Sequence, residues 1–183
     1  MSDPVSAAAL AQLGRGARWR RRWAHRVRVA VAMVLLAVFG AAQRWVPMRR
    51  WSGVLGRAAA VPPAWLDQRI TGLPVRAGSV AERQVLVAVQ RAARALPWSP
   101  TCLAEAAAGQ VLLRRAGTAG VVVIGLRRTD PAVSAEWDAH AWLLGARGAL
   151  TGGPAARGFT ATTVYEVAGG RRAADVELAV GER

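Results

Sequence analysis

An α+β fold is what this sequence predicts, and three observations carry the prediction. The middle of the chain reads as two consecutive helices with explicit start and stop signals. After Gly117 the texture changes to β-branched, alternating stretches of strand length. Those stretches follow the helices rather than alternate with them, which leads to a small antiparallel sheet packed on helices and not to a doubly wound parallel one. The chain has 183 residues, 53% of them apolar. That suffices for one core of about 100–150 residues and excludes a second catalytic domain.

Taken in order, the N-terminal third comes first. Residues 1–60 hold eleven Arg against Asp3 alone, a net +10 out of a formal +14 for the whole chain. A basic tract, RGARWRRRWAHRVR, precedes an apolar run of 14 residues from Val29 to Ala42, and RWVPMRRW follows it. A bilayer-spanning helix needs about 20 apolar residues, so a simple span is short unless Arg28 and Arg44 snorkel outward. Four readings stand: such a span, a secretory signal ending at the small residues Gly40–Ala42, a helix on an anionic membrane surface suited by Trp19, Trp23, Trp45 and Trp51, or a helix buried against the rest of the fold. The last is the plainest. The Arg tracts also raise phosphate binding, but no nucleic-acid reading module accompanies them, so nucleic acid is not expected as a partner. An Arg-only composition lacking Lys and Asn also fits a GC-rich coding bias.

Pro62, Pro63, Gly72, Pro74 and Gly78 punctuate residues 58–78 as a linker with at most a short helix at Trp65–Ile70. Ser79 and Glu82 form a capping-box pattern opening a helix over about 80–95, with Val85, Leu86, Val89, Ala93 and Leu96 at helical spacing. Ser99 as N-cap and Pro100 at the first helical position open a second helix, about 100–115, stopped by Gly117. Strands are then expected at Gly120–Arg127, Glu136–Leu144 and Thr160–Val167, with a tight turn at Gly145–Gly148 leading into a short strand at Ala149–Thr151. The expected division is a basic region with a hydrophobic helix (1–57), a linker (58–78), a compact domain (79–170) and a C-terminal tail (171–183).

Residue counts limit the chemistry. Without Lys there is neither a Walker A loop nor a Schiff-base amine. One Cys makes a disulfide within the chain impossible, and with two separated His it falls short of a tetrahedral zinc site, so neither metal nor cofactor is expected. The Cys is the informative residue. Cys102 falls near a helix start, where unsatisfied N–H groups and the helix dipole favour a thiolate and can also hold an oxyanion. His140 lies mid-strand, with Asp138, Trp142 and Leu144 on the same face, and can serve as base and acid if that face meets the helix start. Against this, a lone Cys is commonly a small buried hydrophobe, and a lone strand His a satisfied core residue. His25, inside the Arg tract, is not a candidate.

These residues carry a resemblance. RALPWSPTCLAEAAAGQVLLRRAGTAGVVVIGLRR followed by AHAW resembles the transglutaminase-like cysteine peptidase domain of lasso-peptide biosynthesis proteins, the leader peptidases of the B-two type. The resemblance covers roughly residues 80–165 and implies a papain/transglutaminase-like fold, with the nucleophile helix on a small antiparallel sheet. It implies Cys102 as nucleophile, His140 as base, and removal of the leader from a ribosomally made precursor before an ATP-dependent cyclase closes the ring. The family's acid is expected about a dozen residues beyond the His, where this chain reads ALTGGPAARGF without an acid. Asp138, a backbone carbonyl or Thr151 are the alternatives for orienting the ring. Residues 1–60 show no alternating strands, so a leader-binding module is not expected there, and the resemblance implies a separate leader-binding protein. The expected location is cytoplasmic, with a peripheral membrane contact through the N-terminal segment. Another acyl transfer on the same scaffold, or a non-catalytic leader-binding or membrane-associated scaffold, is the alternative function.

Overall fold

The computed structural model describes residues 4–59, 74–129 and 137–167. The helix expected at Trp65–Ile70, Glu136 and the tail at 171–183 lie outside them. The basic tract and the apolar run form one helix, α1 (Pro4–Trp45). Arg is nearly as good a helix former as Ala, so the charge cluster does not interrupt it, and Pro47 stops it. Its inner face, Ala32, Leu36 and Phe39, is buried against α2 (Val80–Ala95) and α3 (Cys102–Arg115). Two 3₁₀ turns, Met48–Arg50 and Ser52–Val54, then bring Trp51 onto Phe39, with ring centroids 5.6 Å apart, and bury Leu55. Residues 29–55, set apart in the sequence by charge, thus supply one wall of the same core. By length and composition Trp19–Trp45 is apolar enough to cross a membrane, but its inner face is occupied by protein.

Helix α2 starts as its capping box dictates. Ser79 Oγ accepts from Glu82 N–H at 3.1 Å, and Glu82 Oε2 accepts from the N–H groups of Ser79 (3.2 Å) and Gly78. Glu82 is buried, which a carboxylate tolerates only when its oxygens are satisfied. Its Oε1 therefore has a third donor, Ala146 N–H at 2.9 Å, in the Gly145–Gly148 turn. One side chain ties a helix start to a turn 64 positions away in the chain.

Helix α3 begins later than the sequence suggests. Ser99 is not the N-cap and Pro100 is not helical; Thr101 caps the helix, its Oγ accepting from Ala104 N–H at 3.2 Å and donating to Gln43 Oε1 of α1 at 2.8 Å. Thr101 is held extended (φ −72°, ψ 154°), so Cys102 becomes the first helical residue.

The sheet has strands β1 (Arg57–Ala59), β2 (Val121–Arg128), β3 (Trp137–Leu144), β4 (Ala149–Thr151) and β5 (Thr160–Glu166), in the order β1-β5-β2-β3-β4, all neighbours antiparallel. Four of these match the expected strands to within a residue. β1, in the stretch read as the start of a linker, was not expected. Gly56 permits it: at φ +124° a side-chain Cβ would sit 2.2 Å from Glu166 O. Alternation gives the sheet two buried faces. Val122, Ala141, Leu143 and Leu150 face the helices, while Val121, Val123, Trp142 and Val164 pack under Ala156 and Phe159.

Candidate active site

The site lies where β3 outruns β4. β4 pairs only with Leu143 and Leu144, so toward Trp137 the outer edge of β3 has no described strand beside it. The start of α3 meets this edge. Cys102, half-buried, hydrogen-bonds with the His140 ring and receives the N–H groups of Ala141 on β3 and Leu103 in its own first turn. Partial burial pushes the thiol's pKa up, but those hydrogen bonds and the charge of the imidazolium outweigh it and hold the thiol below its ordinary value. The His140 ring is shifted the other way. Its bond with the Cys102 thiol raises it, burial opposes this, and the Gly152 carbonyl and the charges of Cys102 and Asp138 reinforce the rise.

The imidazole is fixed on its far side too. Nε2 lies 2.8 Å from Gly152 O. A carbonyl only accepts, so Nε2 carries a proton and Nδ1 is the nitrogen left for the thiol. Gly152 stands twelve positions after His140, at the spacing where the resembling family places its acid. Its φ of +70° turns the chain so that a carbonyl takes that place. The ring is further flanked by Trp142 (centroids 6.0 Å) and Phe159 (5.2 Å).

The structure thus brings Cys102 and His140 together and leaves Asp138 elsewhere. The Asp138 carboxylate pairs with Arg127 NH2 at 2.6 Å, opposite it on β2, and contributes to the ring only through its charge. Thr151 is buried, and among the described residues its Oγ has no hydrogen-bond partner, the His140 ring included, so it does not orient the ring either. Arg127 also stacks over Phe159 at 4.4 Å, which holds the aromatic lid on the imidazole. His25 lies on α1 beside Arg91, away from the thiol. Among the described residues, no group of three or more His, Cys, Asp or Glu is arranged to hold a metal.

Two site features were not singled out by residue in the sequence. The Gly152 carbonyl belongs to the backbone. Glu105, one turn along α3, lines an open cleft of about 510 Å³ with Arg94, Leu96, Trp98 and Pro100. Burial raises its carboxyl above the ordinary range, and the positive charge of His140 partly offsets this. Its i+3 spacing from Cys102 could have marked it, but a lone Glu on a helix is usually solvated.

Thiolate, imidazole and a polar third group at the start of a helix on an antiparallel sheet form a nucleophile with its base. The pattern of the transglutaminase-like superfamily matches residues 36–164, from inside α1 to β5, and so takes in both Cys102 and His140. No curated protein and no solved structure matches the chain. With 129 of its 183 residues matched, and with the architecture described above, the chain belongs to the transglutaminase-like superfamily.

Proposed function

We propose that this protein is a cysteine peptidase that removes the leader from a ribosomally made lasso-peptide precursor. The observation that carries the reading is the line Cys102–His140–Gly152, a thiol with a depressed pKa and an imidazole with a raised one, its tautomer set by a carbonyl. Cys102 Sγ attacks the scissile carbonyl, and the backbone N–H of Cys102, at the start of α3 where the Leu103 N–H serves the sulfur and the Ala104 N–H serves Thr101, receives the oxyanion. The His140 imidazolium then gives its proton to the leaving amine, which frees the N-terminus of the core peptide. Water, deprotonated by the same ring, hydrolyses the remaining thioester and releases the leader. The Pro-Trp before the Cys-Leu and the Ala-His-Ala-Trp of β3 support this substrate class by resemblance. They imply as partners the precursor, a separate leader-binding protein and an ATP-dependent cyclase.

The test is incubation with a precursor peptide from the same gene neighbourhood and its leader-binding protein, followed by intact-mass analysis. Cleavage to leader and core, abolished in Cys102→Ala and in His140→Ala, is expected. An adduct joining the leader to an added primary amine, in place of hydrolysis, would move the protein to the acyl transferases. Undiminished cleavage by Cys102→Ala would overturn the thiol mechanism, because the chain has no other thiol.

A further inference from the structure

The face of α1 turned away from the core remains to be accounted for. Trp19, Trp23, Val27, Val34, Val38 and Trp45 are exposed by 66, 57, 44, 62, 54 and 79%. At 100° per residue these side chains, with alanines between them, fall within an arc of roughly 100°, opposite Ala32, Leu36 and Phe39. The stripe is continuous for about 39 Å, at 1.5 Å per residue. A contiguous apolar patch of this length is far more than scattered surface residues produce.

Charge identifies the occupant. Arg26 and Arg44 project at the border of the stripe, Arg20 and Arg22 flank its N-terminal part, and all four are exposed. No acidic residue lies between positions 4 and 66. A second copy of the chain would set one cationic face against another. A bilayer-spanning arrangement would strip the inner face of the helix from α2 and α3. An anionic lipid surface satisfies both halves of the pattern at once: the indoles and valines enter the headgroup boundary while the guanidinium groups meet lipid phosphates.

We propose that the outward face of α1 docks on an anionic membrane surface, with the helix axis along the membrane plane and the rest of the protein on the aqueous side. This inference does not depend on the peptidase reading. It is tested by floating the full-length chain with vesicles of phosphatidylcholine alone and of an equal mixture of phosphatidylcholine and phosphatidylglycerol. Flotation with the anionic vesicles, weak flotation with the neutral ones, and release by high salt or alkaline carbonate are expected.

The combined variant Val34→Ser, Val38→Ser, Trp45→Ser should partition roughly tenfold more weakly, with unchanged circular dichroism because the three sites are exposed. Arg26→Gln with Arg44→Gln, which leaves the apolar stripe intact, should weaken binding to anionic vesicles alone. Flotation undiminished in both variants, or equal on neutral and anionic vesicles, overturns the proposal. Resistance to carbonate does so in favour of a span, and a dimer in solution that ignores vesicles does so in favour of a second copy.

Discussion

Replacing Gly152 by Ala examines the least conventional part of the site. At φ +70° the new Cβ would stand 2.5 Å from Ala141 O, 3.1 Å from His140 Nε2 and 3.1 Å from Trp142 Cβ. The left-handed conformation costs a residue with a Cβ roughly 1–2 kcal/mol, and the contact with a backbone oxygen cannot be relieved by a rotamer change. The turn must therefore shift, and the carbonyl moves off Nε2. A hydrogen bond to a charged group is worth about 1.5–3 kcal/mol, which at about 1.4 kcal/mol per decade predicts leader cleavage slowed roughly 10- to 150-fold.

The pH profile should change in a set direction. Productive enzyme needs thiolate and imidazolium together, and the lowered pKa of Cys102 and the raised pKa of His140 both favour that pair. The Gly152 carbonyl helps hold the imidazolium's proton, so losing it lowers the ring's pKa and moves the basic limb of the cleavage profile to lower pH. Iodoacetamide labelling of Cys102 across the same pH range reads the pair without substrate. A variant that melts cooperatively, keeps its basic limb and cleaves within about twofold of wild type would refute the positioning role of the carbonyl.

Three further outcomes follow from the contacts. Asp138→Asn should leave cleavage within about threefold, since its carboxylate serves an exposed pair with Arg127; a loss of about tenfold or more would put the carboxylate at the ring. Glu82→Ala strips three backbone N–H groups of their acceptor and should destabilise by about 2–4 kcal/mol in urea unfolding, whereas a loss under about 1 kcal/mol would contradict the clamp. Leu36→Ala, at a fully buried position of α1, should lower stability by about 2–5 kcal/mol; a negligible change would show that α1 is not part of the core.

The local signals that proved legible act over a few residues. Ser79 and Glu82 announced the start of α2, and the β-branched run from Gly120 to Arg127 announced the strand found at Val121–Arg128, because caps and β-branched runs are written within one turn or one strand. The third bond of Glu82, to Ala146, was illegible because its donor is a backbone group 64 positions away. β1 was missed for a similar reason: three residues show no period, and the strand exists only because β5 lies beside it. The continuity of α1 was obscured by reading charge as a boundary, whereas helix formation ignores it.

At the site, Cys102 and His140 were named from residue type and position, and their approach is a tertiary fact. The start of α3 was placed two residues early because Ser-Pro mimics a cap, while the Thr101 hydroxyl, held to Gln43, takes the part. A backbone carbonyl stood among the alternatives for the far side of the imidazole, but no side-chain pattern marks it as that of Gly152.

That group also alters the electrostatics felt from a distance. A carboxylate beside the ring would leave the thiolate, the imidazolium and the acid with a combined charge of minus one. With the Gly152 carbonyl in its place, the trio sums to zero once the proton has moved from sulfur to nitrogen. If the substrate is a peptide, acidic side chains near its scissile bond would meet one fewer repelling charge, an effect that salt in solution imitates only in part because partly buried charges are screened less.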